Sequence, residues 1–235
     1  MEYINRIIDN IFNNEYDYDT SYLIVFIIVS IGLSLYSTIN NKKLIFKIPV
    51  LGTTLIHEFF HALAGMLLNK NNIRIKIDKH GNGITNYLSE TNKPRSIFIT
   101  IIGYFGPGLL SIIMAILIKF NYIGIAMLAL LVILIISLSL MRNKLGIIVS
   151  ICYLLFIVVL VFYNLSFVVL FMTVYLAIVG VGDSFQQFFV IHNGGVCDAV
   201  ILARGSRRHR NPLFWANIHL VGSLLLACVS LLLLV

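Results

Sequence analysis

With 235 residues, 59% of them hydrophobic and only 11% charged, the chain lies far from soluble domains, in which about a quarter of residues carry charge. That composition excludes an ordinary water-soluble enzyme, and the length leaves room for one integral membrane domain over 1–235. The net charge of +7 could suit nucleic acid, but in so apolar a chain excess Lys and Arg mark cytoplasmic loops, so no nucleic-acid partner is expected.

Residues 1–20, "MEYINRIIDNIFNNEYDYDT", are polar and mostly acidic and lack the basic start of a signal peptide. The first apolar run is therefore expected to be retained as a span. Seven stretches approach the length of about 20 apolar residues that crossing a bilayer takes. They run approximately over 21–39, 46–69, 97–118, 122–140, 145–163, 165–191 and 212–235. The expected fold is thus an all-α polytopic membrane protein of about seven transmembrane helices. The fourth and fifth stretches are plain Leu, Ile and Val, whereas the second, third and sixth carry polar residues, Gly or Pro. With the N-terminus cytoplasmic, 13 of the 17 basic residues fall inside, and only Lys42, Lys43, Lys47 and Lys119 fall outside. Tyr22 and Trp215 suit interfacial anchors. The run "RGSRRHR", 204–210, suits contact with anionic membrane lipid.

Between the second and third stretches, the loop over 70–95 alternates Ile73, Ile75 and Ile77 with Arg74, Lys76 and Asp78, the period-two pattern of a strand. "KHGNG" supplies a turn and "ITNYLS" a returning strand, which makes a small cytoplasmic β-hairpin. Open strand edges are barred from hydrocarbon, so this hairpin is expected in water, against protein or along a cavity. Its edge, at Ile73, Ile75 and Ile77, is the expected substrate-binding strand, because an unwound substrate can replace its lost helical hydrogen bonds by pairing there.

The chemistry is expected in "LIHEFFHALAG", 55–65. Ionisable side chains inside a span cost several kcal/mol each, by an order-of-magnitude scale, unless they find partners. On a helix His57 and His61 share one face, so both imidazoles can hold one metal ion. Glu58, beside the first histidine, can reach a water on that metal. Zinc lowers the pKa of such a water to about 7, and a carboxylate can then take its proton as the water attacks a carbonyl. The expected cofactor is zinc, with Glu58 as catalytic base. "IIGYFGPGLLS", 101–111, breaks the next span, where Gly103, Gly106 and Gly108 permit close helix approach and Pro107 removes a backbone donor. The scattered Cys152, Cys197 and Cys228 read as small apolar residues, and His80, His209 and His219 as loop or packing residues.

"HEFFHALAG" in a span, the basic hairpin after it, "GYFGPG" in the next span and an aspartate in a late span together resemble the site-2 protease family of intramembrane zinc metalloproteases, especially its compact bacterial branch. The resemblance implies peptide-bond hydrolysis near or within the bilayer of a bacterial cell membrane. The implied substrate is a transmembrane or membrane-associated protein or peptide. It also implies a third zinc ligand from a distant helix, which the family usually takes from an "LDG"-like motif that this chain lacks. Asp183, Asp198 and His192 compete for that place. Asp183 is favoured by depth. It stands ten residues before Asn193, at the cytoplasmic end of its stretch, while His57 and His61 stand 13 and 9 residues before Lys70. At about 1.5 Å per residue these depths agree within a turn. Asp198, in "CDA" after a Gly-Gly break, is the rival. Two other readings stand beside the protease: a non-catalytic membrane scaffold that keeps the fold, and a metal or ion transporter. The latter calls for ionisable groups across several spans, which the fourth and fifth stretches do not supply.

Overall fold

The structure, a computed structural model, describes residues 20–39, 44–78, 82–87, 93–163, 166–206 and 208–235. The acidic segment over 1–19, His80 and most of the expected hairpin turn lie outside these. In chain order the described elements are α1 (Thr20–Ile39), α2 (Leu44–Leu67), β1 (Arg74–Ile77), β2 (Gly83–Asn86), α3 (Lys93–Lys119), α4 (Ile123–Leu140), α5 (Lys144–Tyr163), α6 (Ser166–His192), α7 (Asp198–Gly205) and α8 (Pro212–Leu234). Among the described residues, five helices are long and apolar enough to cross a bilayer: α3 from Pro94, α4, α5, α6 and α8. The count of seven spans is thus met in part. The two remaining stretches are helical as α1, whose described apolar run is Tyr22–Ser34, and α2, which carries the ionisable groups.

Helix α3 holds the assembly together, packing against α2, α6, α7 and α8. Its "GYFGPG" stretch explains how α2 comes so near. A Cβ added at Gly103 would collide with the His61 ring, and one at Gly106 would collide with the Phe60 ring. Pro107 sits inside α3 without ending it. We expect Gly103→Ala to cost about 1–3 kcal/mol through overpacking against backbone-anchored α2. Thermal unfolding in detergent would read this loss, along with reduced metal content, because the ring displaced is that of His61.

The hairpin forms where the alternation places it. β1 and β2 are antiparallel, with Arg74 opposite Asn86 and Ile77 opposite Gly83. Ile75 and Ile77 are fully buried and Ile73 nearly so, and all three join the hydrophobic core beneath the sheet. Arg74 and Lys76 point the other way and are exposed. Asp78 closes the described part of the turn, accepting at 2.9 Å from the Asn82 backbone and side chain. The outer edge of β1 is not open. The α4–α5 connector runs along it: Met141 bridges Ile75 in parallel, the Arg142 N–H donates to the Ile75 carbonyl at 3.1 Å, and the Asn143 side chain bonds both the N–H and the carbonyl of Ile77.

Candidate metal centre

The His-Glu-His segment is helical because its neighbours are good helix formers, and α2 buries this face against α3 and the hairpin. His61 is buried and His57 partly so. The Nδ1 atom of His61 lies 3.0 Å from the Ile99 carbonyl on α3. A carbonyl can only accept, so Nδ1 carries the proton and Nε2 is left as a lone-pair donor for a metal. The backbone of His61 is held as well, by a 2.6 Å hydrogen bond from the Tyr87 hydroxyl to its carbonyl. Burial, and after it the Glu58 charge, push the Tyr87 phenol above its ordinary range, which keeps it a donor.

The carboxylate that the structure brings beside the two histidines is that of Asp198, and Asp183 does not join the group. Helix α6 ends at His192, and Gly194, at φ +68°, takes the left-handed backbone that reverses the chain. Four residues later α7 begins, and Asp198, in its first turn, returns to α2. Its Oδ2 lies 3.2 Å from His57 Nε2 and 3.5 Å from His61 Nε2, and the two Nε2 atoms are 3.0 Å apart. Burial alone would push the Asp198 carboxyl up. The two imidazoles, His61 foremost, more than reverse this and hold it below the usual carboxylate range. The N-terminal end of α7 further favours a carboxylate.

These separations test whether a metal fits. Ligands about 2.0–2.1 Å from a tetrahedral zinc stand about 3.3 Å from one another. The three observed edges, 3.0, 3.2 and 3.5 Å, bracket that value. Two imidazoles and a carboxylate, each offering one atom, also make the N/O donor set that a catalytic zinc takes while a fourth position stays open. Asp183, on α6, is half-buried and within electrostatic reach of His57 but does not join the cluster, and His192 is exposed at the end of α6. The depth estimate that favoured Asp183 fixes height along a helix but not its rotation, nor a chain reversal that brings a later residue back to the same height.

The family comparison now bears on this geometry. The family model described as Peptidase M50B-like matches residues 20–230, which is most of the chain. The chain belongs to this site-2 protease family. No curated protein and no solved structure gives a match. The matched range of this M50B-like protein contains His57, His61 and Asp198, together with both strands of the hairpin.

Glu58 stands beside the His57, His61 and Asp198 cluster without joining it. It is only 5% exposed, and its Oε2 accepts a 2.6 Å hydrogen bond from the Thr85 hydroxyl of β2. The same hydroxyl lies 3.1 Å from the Glu58 carbonyl. β2 can lie so close because position 83 has no side chain: a Cβ there would collide with the Glu58 side chain. Thr85, Tyr87, Gly83 and the Ile99 carbonyl were not singled out in the sequence. The available signal was parity, since Gly83, Thr85 and Tyr87 share the face of β2 opposite exposed Ile84 and Asn86.

His219 and His209 have their contacts away from the cluster. His219, fully buried on α8, stacks on Tyr104 at 3.8 Å and meets Gln187 Oε1 at 3.1 Å. Tyr104 in turn places its ring edge-on to His57 at 6.0 Å, so α8 supports the centre from behind. His209 is exposed and stacks on Phe214, and its carbonyl accepts from the Trp215 indole.

Proposed function

We propose that this M50B-like protein is a zinc-dependent intramembrane protease that hydrolyses peptide bonds of transmembrane or membrane-associated substrates. The observation that carries the reading is the set of three ligand-atom separations at tetrahedral-edge length, with a buried glutamate beside them that is not a ligand. His57, His61 and Asp198 would hold the zinc, which makes Asp198 the third ligand in preference to Asp183. When bound, the metal would polarise the scissile carbonyl and acidify water.

This chain's own residues do the rest. Glu58 takes the proton of the attacking water and passes it to the leaving amine, while Thr85 fixes which carboxylate oxygen is free to do so. Ile99 and Tyr87 hold His61 from both its ring and its backbone. The strand that presents substrate is β2. The isoleucines of β1 are buried and its outer edge is filled by the connector, so this reading takes β2 in place of the β1 edge at Ile73, Ile75 and Ile77. The outer edge of β2 has no backbone partner among the described residues, and that strand already touches Glu58. An extended substrate added there is held beside the base. We place the protein in a bacterial cell membrane with its N-terminus and the hairpin cytoplasmic, following the excess of basic residues on that side.

Metal removal tests this reading. Zinc-replete protein in non-ionic detergent should cleave a single-span peptide labelled at both ends. 1,10-Phenanthroline should abolish the cleavage and added zinc restore it. Protein that holds one zinc per chain and cleaves no member of a panel of such peptides would return the chain to the non-catalytic scaffold reading.

A further inference from the structure

Along the hairpin lies a cleft of about 410 Å³ lined by Asn72, Arg74, Lys76, Asn86, Tyr87 and Arg142. Three of its residues are cationic and none is acidic. Arg74 and Lys76 stand two apart on β1, so strand geometry aims both side chains to one face. Arg142 comes alongside because its N–H is bonded to the Ile75 carbonyl between them. One guanidinium nitrogen of Arg142 donates to the Ser139 and Met141 carbonyls at 3.1 Å, and its other nitrogens have no protein partner among the described residues. Neither Arg74 nor Lys76 has an ion pair among the described residues. Three like charges held together, with no acidic residue in the cleft's lining, favour an anion there.

We infer that this cleft binds the phosphate of an anionic lipid headgroup. Depth decides for lipid. Arg142 sits in the three-residue connector between two spans, α4, which ends at Leu140, and α5, which begins at Lys144. The connector therefore lies where hydrocarbon gives way to headgroups. A guanidinium suits phosphate because it offers parallel N–H donors to two oxygens, and the Asn72 and Asn86 amides add neutral donors at the rim. An occupied cleft would bridge β1 and the connector, and so secure the sheet whose second strand holds Glu58.

Native mass spectrometry of the purified protein tests this, using micelles of non-ionic detergent with equal amounts of phosphatidylglycerol and phosphatidylcholine. The wild type is expected to retain one phosphatidylglycerol in clear preference. Equal retention of the two lipids overturns the proposal, and that measurement involves no substitution that could disturb the fold. Each of Arg74→Gln, Lys76→Gln and Arg142→Gln should cut the preference about fivefold, the effect of about one surface cation on an anionic lipid. Replacing Arg204, Arg208 and Arg210 by Gln together should leave it unchanged. A preference that survives the cleft substitutions, or that falls instead with those at 204–210, overturns the assignment. Displacement of the lipid by millimolar inorganic phosphate would overturn the lipid source in favour of the free ion. Displacement by an acidic peptide but not by phosphate would overturn it in favour of a protein segment.

Discussion

Asp198→Ala should empty the metal centre, and Asp183→Ala should leave it filled. Protein purified under metal-replete conditions and analysed for zinc is expected to carry about one ion per chain in the wild type and in Asp183→Ala. Asp198→Ala should hold less than about a tenth of that, because losing a direct ligand costs more than the 10–100-fold attached to supporting groups. The reason is positional. Asp198 Oδ2 completes a triangle with the two Nε2 atoms whose sides are all near 3.3 Å, whereas Asp183 acts on His57 only through its field. Asp198→Asn serves as a control of nearly identical shape. It keeps the α7 turn but offers a neutral amide oxygen, so it too should lose zinc while its unfolding stays close to that of the zinc-free wild type. Zinc lost from Asp183→Ala and kept in Asp198→Ala would reverse the ligand assignment and with it the role of the Gly194 reversal.

How far the sequence could be read follows from which interactions are local. The His-Glu-His spacing maps onto one helix face whatever the tertiary structure, so the positions of His57 and His61 were legible, as were the hairpin and the close helix approach at "GYFGPG". Which of the two competing aspartates comes beside the histidines was not. The placement of Asp198 depends on a reversal after His192, on the left-handed backbone of Gly194, and on the packing of an eight-residue helix against α3 and α8. None of these is a property of a local window. Depth along a helix is one coordinate of three, and Asp183 satisfied it without joining the cluster.

The hairpin repeats the same division. Alternation correctly put Ile75 and Ile77 on one face and Arg74 and Lys76 on the other, but alternation is silent about edges. Which edge is open depends on a connector more than 60 residues further along the chain, where Met141, Arg142 and Asn143 pair with β1. Edge strands invite further pairing, and natural proteins cover those they do not use. Here the covered edge is the one away from Glu58, and the edge without a partner among the described residues belongs to the strand that touches it.

That contact sets the largest effect expected on activity. Glu58→Gln should retain zinc and lose about 10²–10⁴-fold in kcat, the usual contribution of a positioned general base. Thr85→Val is the sharper test, because valine has the shape of threonine and suits a strand, so the hairpin should persist. It removes only the hydroxyl that donates at 2.6 Å to Glu58 Oε2. A hydrogen bond to a charged group is worth about 1.5–3 kcal/mol, so kcat should fall by about 10–100-fold with KM little changed. Thr85→Ser restores the hydroxyl and should recover most of the loss. If Thr85 acts through Glu58, its loss costs nothing once the base is gone, and Glu58→Gln/Thr85→Val should be no slower than Glu58→Gln alone. Losses that instead multiply in the double variant would mean that Thr85 serves substrate binding or hairpin stability rather than the carboxylate. A rise seen in KM alone would assign it to the substrate edge of β2.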